Sequence, residues 1–401
     1  MKTTMIQTSS VEKVEAWIYA ICLLFSIPPF FFWSVSSPYF MMVCLLISLK
    51  HFRINRDTGY VVFTTLLFLI YLVLAFMGGG TFVGTVVTSL MGIVFFTDPR
   101  FLKLVFDKFV YVFSITSLLS VIQYILVVVF DIGMPYRVIN ALNTLKSYDY
   151  MAYAFFVMPS KTFDILPRFF GMYDEPGVVG TIAGAILMTR QFNFKKWINI
   201  PIFIAGILSF SLFFYVIFAI YVILFAKIRY KVITTVLVAL AVYLWQENEI
   251  LERYVFSRLE IENGEWTGDD RTKAHFDYWY KTEFVNSKDF YFGLGRSANT
   301  LYNQGGASYK DVIVNYGIIF FVIYMGTFTL FGLYRLKFSK EFFIYFFLLY
   351  GVIYQRPFIG SFVYLFIIFI PILYLNRYIG GSTRQLQKSH KRTKRTRESQ
   401  Q

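Results

Sequence analysis

Two polar segments of this chain combine arginines with side chains that could accept a proton. The first, residues 167–177 (PRFFGMYDEPG), places Arg168 and Glu175 just before an apolar run that starts at Pro176. Proline suits the first turn of a helix, and an acidic residue suits the position before it. A helix start offers free N–H groups and a partial positive charge, so a phosphate could bind these amides and the Arg168 guanidinium. The alternative is that the acidic residues only cap a helix while Arg168 anchors to lipid headgroups.

The second segment, residues 247–311, is the long break in the apolar sequence and contains GDDRTKAHFDYW. A helix over residues 271–284 has the right composition. It would place Arg271, His275 and Tyr278 on one face, at i, i+4 and i+7. An arginine fork can bind two oxygens of a pyrophosphate, and a histidine one turn away could take a proton from a sugar hydroxyl near neutral pH. The alternative is an amphipathic surface helix in which His275 is an ordinary polar residue at the membrane interface.

The end of this segment carries a YFGLGR motif that ends at Arg296 and an SYKD motif that ends at Asp311. The glycines suit a tight turn, and Arg258 and Arg296 add to the basic lining. The Gly-x-Gly does not indicate a nucleotide site, because no strand–helix unit surrounds it. Asp311 lies where the next helix begins, so it is either an N-cap or a further proton acceptor. Aromatic side chains such as Tyr278 could stack on sugar rings.

Outside these segments the chain is strongly apolar. Of its 401 residues 57% are hydrophobic and 21% aromatic, only 15% are charged, and the mean hydropathy is +0.57. A soluble domain carries roughly 25% charged residues, and apolar runs long enough to cross a bilayer recur here throughout. The composition therefore predicts an all-α integral membrane protein. Cys22 and Cys44 lie in apolar runs and no CxxC or HExxH pattern occurs, so we expect neither a metal nor a cofactor.

The apolar runs predict about twelve membrane-spanning helices. Residues 197–226 could form one over-long helix or two short ones that meet at 209–211. Two helices place both termini in the cytoplasm and concentrate lysine and arginine in the inner loops, as the positive-inside rule requires. A single helix would move Lys50, Arg53 and Arg56 outside. The predicted spans are 16–33, 38–49, 59–77, 81–97, 109–130, 176–190, 197–209, 211–226, 232–246, 312–334, 342–355 and 358–376.

Two outer loops and a tail complete the predicted organisation. Both outer, periplasmic loops are expected to carry amphipathic helices, and residues 150–158 suit the membrane interface or a re-entrant segment. The tail is basic and poor in apolar residues, so we expect it to be disordered and to contact anionic lipid rather than nucleic acid. The four parts are 1–246 with helices one to nine and an outer loop at 131–175, 247–311 as the larger outer loop, 312–376 with helices ten to twelve, and 377–401 as the cytoplasmic tail.

In this order and on these loops, the motifs resemble the O-antigen (oligosaccharide repeat-unit) polymerase family, the Wzy type. Residues 168–177 are similar to an Arg-x-x-Gly-x-x-x-Glu-Pro-Gly-like segment before a helix. Arg271, the Gly-x-Gly turn and the Tyr-Gly-Ile at 316–318 are similar to the later family pattern, and the resemblance spans roughly residues 160–335. Related O-antigen ligases normally carry a His-Asn pair where this chain has Gly306-Ala307, and this departure favours the polymerase.

The resemblance implies a metal-independent glycosyltransferase in the bacterial inner membrane, with its active site on the periplasmic face. Such an enzyme transfers the growing glycan from undecaprenyl pyrophosphate to the non-reducing end of a new lipid-linked repeat unit. The expected partners are that lipid-linked oligosaccharide, membrane lipid and a chain-length regulator protein. The expected base is Glu175 or His275, and the residues expected to bind pyrophosphate or glycan are Arg168, Arg271, Arg258, Arg296, Tyr278 and Tyr309.

Two other functions remain open at the level of sequence. A ligase would move finished glycan to lipid A–core. A flippase or other transporter of lipid-linked oligosaccharide would carry charged residues within its helices and a cavity through the bundle. Almost all charges of this chain fall in loops instead, which weakens the transporter alternative.

A cysteine-labelling scan tests the predicted topology. In a variant without Cys22 and Cys44, the substitutions Ser160→Cys and Gly264→Cys are expected to react with a membrane-impermeant maleimide added to spheroplasts, because both loops are predicted outside. Ser382→Cys should react only after permeabilisation. The predicted orientation would be contradicted if the Ser382→Cys variant reacted in intact spheroplasts, or if neither loop variant reacted with the maleimide.

Overall fold

Helices dominate the chain. Among the described residues, three helices are long and apolar enough to cross a membrane, Thr58–Met77, Pro99–Val129 and Tyr309–Leu336, and several shorter apolar helices accompany them. This architecture is compatible with a helical membrane protein, while the twelve-span topology stays a prediction. The computed structural model describes residues 9–35, 37–77, 82–141, 148–160, 167–245, 261–262, 265–266, 274–295 and 308–376.

The described elements follow the predicted apolar runs closely. The helices are α1 (Ser10–Phe25), α2 (Ser37–Lys50), α3 (Thr58–Met77), α4 (Phe82–Leu90), α5 (Pro99–Tyr124), α6 (Pro176–Thr189), α7 (Asn199–Leu208), α8 (Leu212–Ile220), α9 (Ile228–Trp245), α10 (Ala274–Trp279), α11 (Asp289–Phe292), α12 (Tyr309–Leu336), α13 (Lys340–Gln355) and α14 (Phe362–Tyr374). The 3-10 turns are Phe30–Phe32 and Met91–Phe96, and π-helical turns extend α5, α8 and α10 over Ile125–Val129, Tyr221–Phe225 and Tyr280–Phe284. The strands are β1 (Arg137–Ile139), β2 (Tyr150–Ala152), β3 (Val157–Pro159), β4 (Ile261–Glu262) and β5 (Glu265–Trp266).

Helices α6 and α14 form the centre of the bundle. Every residue of α6 is buried, and so is all of α14 except its last residue. The other helices pack around these two, with α7, α8 and α13 against α6, and α5, α12 and α13 against α14. The outer helices expose apolar side chains, for example Leu66, Leu69 and Val73 on α3. A helix that is apolar on its outward face suits contact with lipid rather than with water.

Polar contacts gather at the two ends of the bundle. At one, which we call the Asp57 end, Asp57 pairs with Arg335 (3.0 Å) and Arg53 pairs with Asp98 (2.9 Å). The predicted inner loops 50–57, 98–108 and 335–341 therefore meet there. The other end of the bundle is called the Glu175 end. There the starts of α6 and α14 lie next to the 28–35 turn and the α7–α8 connection. Which end faces which side of a membrane stays a prediction.

The run 197–226 forms two helices. Helix α7 ends at Leu208 and α8 begins at Leu212, because Phe210 between them adopts a left-handed φ of 46°. The helices fold back on each other, so that the Phe203 and Phe218 rings lie 5.2 Å apart. The first predicted span is likewise shorter than expected: α1 ends at Phe25, and the prolines that follow cannot continue it.

The first outer loop differs from its prediction. Its described residues form an antiparallel sheet in the order β1–β2–β3, where an amphipathic helix was expected. Residues 150–158, predicted to lie in the interface or to re-enter the membrane, form β2 and the start of β3. Tyr150 and Ala152 of β2 and Val157 of β3 are buried against Phe170, and only β2 alternates between buried and partly buried side chains. Aromatic and β-branched residues such as Tyr150 and Val157 favour strands over a helix.

In the second outer loop the predicted amphipathic helix is present as α10 and its π-helical turn, which together span residues 274–284. Its apolar face carries Phe276, Tyr280 and Phe284, which pack on Ile313 and Val314 of α12. The loop is thereby fixed to the first two turns of a predicted membrane helix.

Helix α12 is kinked at Gly317, whose φ of 84° is far from helical. The kink frees two carbonyl groups, and the end of the second outer loop satisfies both. Leu294 N–H donates to the Val314 oxygen (2.8 Å), and Gly295 N–H donates to the Asn315 oxygen (3.0 Å). The glycines of the YFGLGR motif therefore form a turn, as predicted, and Gly293 has a φ of 80°.

Replacement of Gly317 tests this docking. Gly317→Ala is expected to destabilise the protein by about 1–3 kcal/mol, because its backbone conformation is essentially restricted to glycine and a Cβ would collide with the Tyr291 backbone. The measurement is thermal unfolding of purified protein in detergent. Gly326→Ala in the same helix is the control, since a Cβ there meets no atom within 4 Å, and should be neutral or stabilising by up to about 1 kcal/mol. Equal melting of the two variants would contradict the docking role.

Candidate active site

The start of α6 has the predicted backbone and an unpredicted side-chain contact. Pro176 occupies the first helical turn and Glu175 the N-cap position, as the sequence indicates. The Glu175 side chain makes no capping hydrogen bond and instead forms an ion pair with Arg356, in the connection between α13 and α14. The first turn of α6, a carboxylate and a guanidinium are thus brought together at one point.

Arg356 is deeply placed for a charged residue. Its side chain is 14% exposed and that of Glu175 is 31% exposed. Burial lowers the pKa of Arg356, but Glu175, Tyr364 and Asp174 together raise it above its ordinary value. The guanidinium lies so close to Gly177 that any Cβ at that position would collide with it. A buried charge is tolerated only with a partner, and the Glu175 carboxylate is the ion-pair partner of Arg356.

Several buried polar atoms beside this pair lack a hydrogen-bond partner among the described residues. They are the hydroxyl oxygens of Tyr173, Ser361 and Tyr364, and Nε of Arg356 itself. Burial raises the pKa of Tyr173, so its hydroxyl stays protonated and able to donate. A buried polar group without a partner costs about 1–3 kcal/mol, and a group of them is a reason to expect a polar ligand or ordered water.

Arg168 lies on the flank of this site and has a structural role. Its guanidinium donates hydrogen bonds to the carbonyl oxygens of Ser209 (3.2 Å) and Phe210 (3.0 Å), which belong to the α7–α8 connection. That connection packs on the first turns of α6, where Ser211 lies against Gly180. Arg168 therefore holds the turn that lines one side of the α6 start. Its predicted contact with a pyrophosphate stays a prediction.

The second outer loop reaches the same end of the bundle through Tyr309. Its ring stacks on Tyr354 with the centroids 6.0 Å apart and the planes at 24°. Tyr354 lies on the last turn of α13, two residues before Arg356. Tyr278 does not join this cluster, because it is 66% exposed on the side of α10 opposite the buried Phe276.

The structure describes the remaining predicted site residues only in part. Arg258, Arg271 and Arg296 lie outside the described residues. His275 is described only as part of the α10 backbone. Asp311 lies in the first turn of α12, and the N-cap position belongs to Ser308, so the expected capping role of Asp311 is wrong.

Sequence reasoning missed Arg356 as a site residue. It stands in QRP, a very short break between two apolar runs, and so looks like an ordinary loop charge. The available signal was an arginine at the junction of two predicted spans with no acidic residue nearby in sequence, which implies a distant partner. Within the described residues no group of three histidine, cysteine, aspartate or glutamate side chains could hold a metal.

Comparison with family models, with curated proteins and with solved structures finds no match for this chain. The resemblance to O-antigen polymerases therefore depends on the motifs at residues 168–177, 293–295 and 316–318.

A double-mutant cycle tests the coupling of Glu175 and Arg356. Glu175→Gln and Arg356→Gln are each expected to destabilise the protein by about 2–3 kcal/mol, because each leaves one largely buried charge without its partner. The double variant should lose less than the sum of the two. Melting in detergent is the readout.

The control for this cycle is Arg53→Gln, which breaks an ion pair whose arginine is 61% exposed and should cost less than about 1 kcal/mol. Additive losses in the double variant would show that the two charges do not stabilise each other.

Proposed function

We propose that this chain is an integral-membrane glycosyltransferase that polymerises undecaprenyl-pyrophosphate-linked repeat units into a surface polysaccharide such as O-antigen. The single observation that supports it best is the Glu175 end, where the start of α6, Glu175 and a buried Arg356 meet beside unpartnered hydroxyl groups. The motif resemblance supplies the reaction. The predicted topology places this end on the periplasmic face of the bacterial inner membrane, where lipid-linked repeat units are joined.

The reaction forms one bond and breaks one. The oxygen of an acceptor hydroxyl attacks the anomeric carbon of the growing chain, and the bond from that carbon to the pyrophosphate oxygen breaks. The acceptor proton must pass to a base, and undecaprenyl pyrophosphate leaves with the bonding electrons. The enzyme therefore needs a base near the acceptor and cations near the leaving group.

The residues of the Glu175 end fit these two needs. The Arg356 guanidinium and the start of α6 would hold the pyrophosphate, since an arginine fork matches two phosphate oxygens and a helix start favours an anion. A pyrophosphate on Arg356 would replace Glu175 as its partner. The released Glu175 carboxylate could then accept the acceptor proton.

The second outer loop would complete the site in this proposal. Arg271, with Arg258 and Arg296, would add cations for the pyrophosphate, and His275 is the alternative base. Tyr309 approaches from the start of α12 and would contact glycan. The fixation of α10 on α12 supports this part of the proposal, because it gives the loop a defined position above the bundle.

The experiment is polymerisation in vitro by purified protein in lipid nanodiscs. The substrate is the lipid-linked repeat unit extracted from a deletion strain of the source bacterium, and the products are resolved by gel and mass spectrometry. Wild-type protein should yield longer chains. Arg356→Gln, Glu175→Gln and Arg271→Ala should each lower the rate about 100-fold, since each removes a group that stabilises charge or moves a proton in the transition state.

The control is Arg53→Gln at the Asp57 end, which should polymerise normally. Full activity of both Arg356→Gln and Glu175→Gln would reject the site, and full activity of Arg168→Ala and Arg271→Ala would reject the predicted pyrophosphate arginines. The alternatives are separated by the deletion strain. Loss of a polymerase leaves lipid A–core that bears one repeat unit, and loss of a ligase leaves unattached polymer. A purified transporter would not lengthen the glycan chains in vitro.

A further inference from the structure

A cavity of about 870 Å³ lies at the Asp57 end, away from the candidate active site. It is bounded by the α6–α7 connection, the π-helical turn that ends α8, the first residues of α9 and the start of α13. Arg190 in its wall pairs with Asp107 of α5, and Tyr374 in its wall lies near the end of α14. The cavity therefore opens at the predicted inner face of the bundle.

The lining of this cavity is strongly basic. Five of its residues are cationic and none is acidic: Arg190, Lys195, Lys196, Lys227 and Lys340. Lys195, Lys196 and Lys227 are exposed and form no ion pair with a described residue. The Arg190 side chain is only 6% exposed, and its carboxylate partner is 3.8 Å away. Like charges gathered in this way repel one another, so an anion in the cavity would relieve the repulsion.

The inner wall of the same cavity is aromatic. Phe192 lies 4.8 Å from Tyr221 and 5.2 Å from Phe218, measured between ring centroids. Lys340 crosses this wall, where its Nζ donates to the Phe225 carbonyl oxygen (3.3 Å) and lies over the Tyr221 ring (5.8 Å). The cavity thus has cationic side chains at its opening and apolar aromatic rings on its inner wall.

The α6–α7 connection that carries the two exposed lysines has an unusual backbone. Gln191 and Phe192 are consecutive non-glycine residues with positive φ, 54° and 45°. The Tyr221 hydroxyl donates to the Gln191 carbonyl oxygen (2.7 Å) and fixes this conformation. Strained backbone of this kind persists only where surrounding contacts enforce it, and it occurs often at ligand sites.

We propose that this cavity binds an anionic phospholipid, with the headgroup phosphate on the lysines and an acyl chain along the aromatic wall. A free phosphate would meet the same cations. The lipid is favoured because the wall is apolar and the adjacent surface exposes Ile223 and Leu224, which are 63% and 52% exposed. Basic pockets between helices at the inner face of a membrane suit such headgroups. The proposal is independent of the glycosyltransferase reaction and requires only that the chain resides in a membrane.

Native mass spectrometry of the purified full-length protein in detergent tests this proposal. Palmitoyl-oleoyl phosphatidylglycerol is titrated against the wild type and against a Lys195→Gln/Lys196→Gln variant. The wild type should retain one such lipid saturably, and the variant should bind it about tenfold more weakly, because two cations near the phosphate are lost. A matched variant, Lys13→Gln/Arg100→Gln, removes two exposed cations that do not line the cavity and should bind like the wild type.

Three results would overturn the lipid site. The first is that the wild type binds palmitoyl-oleoyl phosphatidylcholine, which carries no net charge, as tightly as it binds palmitoyl-oleoyl phosphatidylglycerol. The second is an equal loss in both double variants, which would mean diffuse attraction to charge. The third is competition by inorganic phosphate at the same concentration as lipid, which would mean that the cavity takes the free anion. Melting curves of the variants verify that each is folded.

Discussion

The fold depends on removing two opposite charges from water together. Glu175 and Arg356 are both largely shielded from water, and an unpaired charge in such a site costs more than most other contacts can offset. Their ion pair joins the start of α6 to the connection between α13 and α14. Gly177 provides the room for that approach. Helices α6 and α14 are neighbours at the centre, and α5, α7, α8, α12 and α13 pack against them.

The two ends of the bundle have different chemistry. At the Glu175 end, polar groups are buried and converge from the first outer loop, the α7–α8 connection and the start of α14. At the Asp57 end, short loops are joined by ion pairs, and the basic cavity lies beside them. The two ends therefore differ in that one buries its polar groups and the other exposes basic side chains.

Hydropathy predicted the helices well because the requirement to satisfy backbone groups within an apolar segment leaves few alternatives to a helix. Two helices in 197–226 were predicted from the distribution of lysine and arginine over the loops, and the first turn at Pro176 was predicted from the fixed backbone angle of proline. The three-stranded sheet was missed because strands of three residues give too little alternation to detect. Arg356 was missed because its partner lies far away in sequence, and no local pattern reports such a contact.

Other features required coordinates for a similar reason. Gly317 lies inside a long apolar run, and nothing in its neighbours distinguishes a kink from a helical glycine. Likewise, Glu175 and Asp311 have the same appearance in the sequence, as acidic residues near a helix start. Only the structure separates them, because Glu175 holds the N-cap position and pairs with an arginine while Asp311 lies inside the first turn.

The attachment of the second outer loop at Gly317 has a consequence for how such a chain could diversify. Residues 294 and 295 are held by main-chain N–H donors, which every amino acid except proline supplies, and the positive φ of Gly293 and Gly295 favours glycine at those two positions. This attachment therefore depends on backbone conformation and not on side-chain identity, provided that Gly293, Gly295 and Gly317 are kept. Exposed side chains beside this attachment, such as Tyr291 and Phe292, can therefore change while the contact with the helical scaffold stays constant.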